Sequence, residues 1–208
     1  MHMRTEQLYV TEPGAIERAA TLLEQGYLVV FPTDTVYGIG AAAFDESAIA
    51  ALYRVKGRPS EKGIPILLAD REDVHKVARD IPPRAQALLD RFWPGALTLI
   101  VPRRTDVPAN LSPDETIAVR VPDNEIARAI IRQAGGAVAT SSANLSGAAP
   151  ARDGDEAMQA LQGLVAAVVD GGPVEHGVAS TIVDCTVTPP AVLRSGALSA
   201  AALSLDTV

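Results

Sequence analysis

Between residues 13 and 193 the chain interleaves short, apolar, β-branched runs with amphipathic helical segments, and no long linker or repeat interrupts them. That alternation constrains the fold most. It makes strands and helices share one core, which is an α/β arrangement. Ile16, Ala19, Ala20, Leu22 and Leu23 recur at helical spacing over 13–25, and Gly26 is placed to end that helix. Residues 27–31 form a compact apolar run stopped by Pro32, the pattern of a buried strand. A strand is expected at 36–40, then a helix over 46–55 that Asp45 can cap through its carboxylate. Further strands are expected at 64–68, 97–101, 116–121, 137–140, 165–169, 180–185 and 191–193, and helices at 71–78, 82–92, 125–133 and 155–161. Several neighbouring strands have no helix between them, so the sheet is expected to be mixed.

The net charge of −7 argues against a protein that coats nucleic acid with a general basic surface. The placement of its 18 Lys and Arg therefore matters more than their number. One cysteine, Cys185, allows no internal disulfide and no multi-cysteine metal site, and three scattered histidines (His2, His75, His176) build no zinc centre. No metal ligands are assigned. Residues 1–7 lack an apolar signal core, and no apolar run approaches the roughly 20 residues of a membrane span. A cytoplasmic protein without membrane contact is the expectation.

Polar residues concentrate after strands, where scaffolds display function. The first cluster is Pro32-Thr33-Asp34-Thr35-Val36-Tyr37-Gly38, in which two threonines flank a carboxylate. It can serve a ligand, or simply form a turn with local side-chain hydrogen bonds. Lys56, Arg58 and Lys62, with Arg54 beside them, put three or four cations on a Gly- and Pro-punctuated loop that could neutralise a triphosphate. The same loop could be solvated charge at a helix C-terminus. Thr140-Ser141-Ser142-Ala143-Asn144-Leu145-Ser146-Gly147 offers hydroxyl and amide donors, yet has neither Walker A nor nucleophile-elbow spacing. Arg120 and Arg194 close apolar strands and need anionic partners, either a ligand or a structural carboxylate such as Asp184 or Asp170. Trp93-Pro94-Gly95 reads as a turn packed on the core, and Cys185 as a small buried apolar residue.

Seven segments, in order, resemble the YrdC/Sua5 family of threonylcarbamoyl-AMP synthases: 31–38 (FPTDTVYG), 56–59 (KGRP), 93–98 (WPGALT), 119–122 (VRVP), 142–144 (SAN), 180–184 (STIVD) and 193–196 (LRSG). The resemblance implies one YrdC-like domain over 1–208 with its core at about 13–196, a twisted mixed sheet flanked by helices around a large concave cavity. It also implies synthesis of threonylcarbamoyl-AMP and pyrophosphate from L-threonine, bicarbonate or CO2, and ATP, for N6-threonylcarbamoyladenosine in tRNA. ATP enters as substrate, with Mg²⁺ carried on its phosphates. By the same resemblance Lys56 and Arg58 are catalytic; Thr33, Arg120 and Ser180 bind threonine; and Lys56, Arg58, Lys62, Ser142, Asn144 and Arg194 bind the nucleotide. Where many relatives carry a substrate-touching His, this chain has Leu67, and it stops at Val208 without the linker and C-terminal domain of longer members. A downstream tRNA threonylcarbamoyl transferase is the implied partner. The competing reading is a non-catalytic module that binds double-stranded RNA. A carbamoyl-transferring maturation factor would need acylphosphatase-like and zinc-finger domains that this chain lacks.

Overall fold

The computed structural model describes residues 4–59, 61–174 and 177–203. His2, His176 and Ser60 of the basic loop lie outside the described residues. The strands are β1 (Glu6–Tyr9), β2 (Val29–Phe31), β3 (Gly38–Ala42), β4 (Ile66–Leu68), β5 (Leu97–Pro102), β6 (Thr116–Arg120), β7 (Ala137–Ser142), β8 (Ala167–Asp170), β9 (Thr181–Asp184) and β10 (Ala191–Arg194). The helices are α1 (Ala15–Glu24), α2 (Glu46–Lys56), α3 (Pro83–Phe92), α4 (Glu125–Gln133), α5 (Gly154–Leu161) and a short α6 (Ala200–Leu203).

The strands form one sheet in the order β1-β8-β2-β3-β7-β4-β6-β5-β9-β10. It is mixed as expected: β8 runs parallel to β1 and β2, β4 to β6 and β5 to β9, while the other neighbours are antiparallel. Strand alternation sorts side chains onto two faces. Val30, Ile66, Leu68, Ala139 and Val168 pack with Ile49 and Leu52 of α2, Leu88 and Leu89 of α3 and Leu161 of α5. Their sequence neighbours Val29, Phe31, Leu67, Val138, Ala167 and Val169 pack with Leu22 and Leu23 of α1 and Ile130 and Ile131 of α4. The sheet is therefore covered by helices on both sides, which explains why its strands read as nearly continuous apolar runs.

The expected cap forms at the start of α2, and a second, at α4, adds to it. Asp45 caps α2 by accepting from the backbone N–H groups of Ser47 (2.8 Å) and Ala48 (3.1 Å). Asn124 accepts from Ala127 N at 2.9 Å to cap α4. Two differences stand out. The helix expected at 71–78 is a 3-10 helix, Arg71–Lys76, and the edge strand β1 has no counterpart among the expected strands. β1 is only half-buried and carries Glu6 and Gln7, so it lacks the apolar run that reveals an interior strand.

Candidate functional site

A cavity of about 300 Å³ opens over the middle of the sheet, lined by residues from many segments of the chain. The 33–38 segment contributes Thr33, Thr35, Val36, Tyr37 and Gly38; β4 and the residues before it contribute Pro65 and Leu67; β5 contributes Thr98. Arg120 comes from β6, Thr140 to Ser142 from β7 with Pro150 beyond them, Ala179 and Ser180 from the chain before β9, and Arg194 from β10. Arg58 reaches in from the loop after α2.

Register explains much of this convergence. Antiparallel β3 and β7 pair Gly38 with Ser142, and a Cβ on Gly38 would sit 2.7 Å from the Thr140 methyl, so only glycine lets the two strands close here. Parallel β4 and β6 set Leu67 beside Arg120. Between Val192 and Arg194 the β9–β10 register slips, a bulge that re-aims Arg194 toward Ser180. Gly196 then passes so close to the 179–180 backbone that a Cβ would lie 2.3 Å from the Ala179 carbonyl oxygen.

Arg120 is the best-held residue of the site. It is buried, donates from Nε to the Gly95 carbonyl (2.8 Å) and from Nη1 to Thr35 Oγ1 (3.0 Å), and its Nη2 pairs with the Asp34 carboxylate. The structural partner is thus Asp34, neither Asp184 nor Asp170. Asp184 caps its own turn by accepting from Thr186 N, and Asp170 accepts from Gly172 N. Burial pulls the Arg120 pKa down while the Asp34 charge opposes that pull.

Thr33 and Asp34 divide the two readings of their cluster. Thr33 Oγ1 donates to the Val36 carbonyl (2.7 Å) and accepts from the N–H groups of Thr35 (3.2 Å) and Val36 (3.3 Å), which is local turn chemistry. Its oxygen also lies 3.0 Å from Thr35 Oγ1. Asp34 instead reaches across the sheet.

On the opposite wall, Lys56 is buried behind the cavity lining. Its ammonium donates to the carbonyls of Ser142 (2.6 Å) and Asn144 (2.5 Å) and to Asn144 Oδ1 (2.9 Å). Asn144 Oδ1 also accepts from Ser142 Oγ (2.6 Å), and Asn144 Nδ2 donates to the carbonyls of Leu145 and Ala148, both at 2.8 Å. Lys56 and Asn144 therefore shape the 142–148 loop while Ser142 fronts the cavity. Burial first, and then the Arg58 charge, push the Lys56 pKa down to about 8. The three oxygen acceptors favour its charged form.

Arg58 donates from Nε to the Lys62 carbonyl (2.8 Å) and from Nη2 to the Gly63 carbonyl (2.8 Å). Arg194 donates from Nε and Nη2 to the Ser180 carbonyl (3.0 and 2.8 Å) and from Nη2 to Ser180 Oγ (3.0 Å). Among the described residues neither guanidinium meets a carboxylate. Burial lowers the Arg194 pKa first, and the nearby Arg120 and Arg58 charges add to it. Three guanidiniums thus face one cavity, and among the described residues only Arg120 of the three pairs with a carboxylate, that of Asp34. Such an arrangement attracts anions.

Of the expected site residues, Thr33, Arg58, Arg120, Ser142, Ser180 and Arg194 line one cavity, and Lys56 and Asn144 stand directly behind it. Lys62 is exposed and its side chain is not part of that lining; its carbonyl receives Arg58 and the Tyr53 hydroxyl (3.3 Å). The sequence reading did not assign Asp34, Thr35 or Thr98, although each sits in a segment it singled out. Trp93 is buried and donates from Nε1 to the Leu97 carbonyl (2.7 Å), fixing the turn before β5. Cys185 is buried, which pushes its thiol up to about 12. Among the described residues no group of three His, Cys, Asp or Glu could hold a metal, and no helix is long and apolar enough to cross a membrane.

Comparison with known proteins places these features in context. The family model Sua5_yciO_yrdC, described as "Telomere recombination", matches residues 21–196. The chain is 40% identical over 200 residues to the threonylcarbamoyl-AMP synthase of Bacillus subtilis, covering 94% of this chain and 57% of that one. A putative threonylcarbamoyl-AMP synthase of Mycobacterium tuberculosis is 40% identical over 185 residues, covering 88% of this chain and 85% of that one. Among solved structures, Sua5 of P. abyssi complexed with L-threonine superposes with a TM-score of 0.89 at 38% identity, over 93% of this chain and 58% of that one. YciO of E. coli gives a TM-score of 0.84 at 25% identity over 95% and 97% of the two chains. The chain spans a little over half the length of the first curated relatives it matches, 57% and 55%.

Proposed function

The chain belongs to the Sua5/YciO/YrdC family, and from that premise we propose that it is an L-threonylcarbamoyladenylate synthase acting in N6-threonylcarbamoyladenosine modification of tRNA. The observation that carries the reading is the convergence of Arg58, Arg120 and Arg194 on one cavity, with Asp34 the one carboxylate paired with any of them among the described residues, in a chain of net charge −7. Two polyanionic reactants have to meet. Their repulsion raises the barrier unless fixed cations offset it.

In this reading Arg120 and Ser180 hold the threonine carboxylate, and Thr33 bounds that end of the cavity. Thr33, Thr35 and Asp34 fix Arg120 before substrate arrives, so little reorganisation is needed on binding. Arg58 and Arg194 meet the phosphates. Ser142 contacts the nucleotide, with Lys56 and Asn144 holding its loop, and Lys62 is near enough in sequence to Arg58 to reach a phosphate from outside. The amine of threonine takes up CO2 to form a carbamate, and a carbamate oxygen attacks the α-phosphorus of ATP. The bond to the β-phosphate breaks and pyrophosphate leaves with its electron pair. The carbamate is the nucleophile, which accounts for a site built of cations and hydroxyls. Mg²⁺ brought in with the nucleotide would add positive charge to neutralise the leaving pyrophosphate.

We take the described core, about 13–196, to act as one domain in the cytoplasm, passing its labile product to a tRNA threonylcarbamoyl transferase. The deciding experiment measures pyrophosphate released from ATP, with threonine and bicarbonate supplied singly and together. Release that requires both is expected. No release above background, accompanied by salt-dependent affinity for double-stranded RNA without ATP or threonine, would replace the reading with a binding module.

A further inference from the structure

The Thr98 and Ser180 hydroxyls lie 2.8 Å apart on the cavity floor, and both residues are buried. Each hydroxyl has one proton and two lone pairs. Ser180 Oγ already accepts from Arg194 Nη2 at 3.0 Å. Within the pair one proton bridges the two oxygens. The other has no acceptor among the described residues, and both side chains face the cavity. A buried hydroxyl proton without an acceptor loses its hydration, so a ligand acceptor is the natural complement.

Either oxygen can donate across this bridge. If Thr98 donates, Ser180 Oγ accepts from both Thr98 and Arg194, both lone pairs are filled, and its own proton can only point outward. An oxygen accepting two donors, one of them a guanidinium, is also polarised toward being a better donor. We propose that Thr98 is a positioning residue for the adenylate-forming reaction: it donates to Ser180 and so presents the Ser180 proton to a carboxylate or carbamate oxygen of the amino-acid substrate, between Arg120 and Arg194. The inference rests on the synthase reading above and adds a residue that touches substrate only through another.

A double-mutant cycle tests it. Thr98→Val keeps the side-chain shape and removes the hydroxyl, Thr98→Ser keeps the hydroxyl, and Ser180→Ala removes the relay. With wild-type turnover established, Thr98→Val should raise the KM for threonine about three- to tenfold. The KM for ATP should change less than twofold, and Thr98→Ser should stay within about twofold of wild type. In the Ser180→Ala background, Thr98→Val should add nothing. An equal penalty in both backgrounds, or equal losses on the ATP and threonine sides, would overturn the proposal and leave Thr98 a packing residue. Absence of wild-type turnover would instead defeat the synthase reading itself.

Discussion

Replacing Asp34 with Asn removes the carboxylate that pairs with Arg120, and the structure sets the size of the effect. The two side chains are 7% and 6% exposed, so water cannot take over the lost pairing. Breaking one side of a buried pair costs about 3–5 kcal/mol. Asn keeps the shape and one acceptor oxygen, which puts the expectation near the lower figure. Arg120 stays anchored to Gly95 and Thr35, so its charge cannot swing out to solvent. In a protein of this length ~1 kcal/mol moves the midpoint by about 2–4 °C, and a fall of about 6–12 °C should appear in a thermal melt. The uncompensated cation should then gain more from an anion than wild type does. Saturating threonine with ATP should therefore raise the midpoint of Asp34→Asn by more than it raises that of wild type. A midpoint within 2 °C of wild type would refute the argument that this pair is a buried, unreplaceable contact.

Removing Arg194, which has no carboxylate partner to strand, should leave thermal stability within about 2 °C of wild type. The KM for an anionic substrate should rise roughly ten- to hundredfold, the size of one charge-assisted contact, and a collapse in stability would contradict the reading. Nucleotide affinity should also depend on Lys56. Its pKa sits near 8 in the free protein, and a bound polyanion favours the ammonium, so affinity should be full below that value and fall as pH rises through about 8. Lys56→Gln should flatten that fall in a titration by calorimetry, and an unchanged slope would remove Lys56 from the nucleotide side. Burial holds the Cys185 thiol near 12, so a thiol reagent at pH 8 should label it only after denaturation. Complete labelling of the native protein within seconds would show that the strand end is open.

Sequence legibility followed the range of the forces involved. Helix caps such as Asp45 and the apolar runs of β2 and β5 are local, and the reading located them within a few residues. The cluster at 32–38 was visible, but its internal division was not. Thr33 satisfies the backbone two and three residues on, whereas Asp34 pairs with a residue 86 positions away. Nothing in the sequence points from Asp34 to Arg120, because that pair depends on strand order. The bulge that turns Arg194 back to Ser180 was equally hidden, since a register slip leaves no compositional mark. Lys62 was grouped with Lys56 and Arg58 by proximity in the chain. A tight loop then separated its side chain from theirs, as neighbours in sequence often diverge across a turn.

Strand β8 sits between β1 and β2, and both register partners, Glu6 and Val29, face Ala167. During synthesis those two strands leave the ribosome roughly 140–160 residues before the strand that joins them, a delay of roughly 10–30 s at ~5–20 residues per second. Throughout that interval β2, made only of Val29, Val30 and Phe31, has an unpaired edge that no part of the chain yet made can cover. Correct assembly in the cell therefore depends on shielding a short apolar edge until residues 167–170 have been made. A nascent chain stalled before residue 167 should be a chaperone client even though Arg58 and Arg120 of the cavity have already been made.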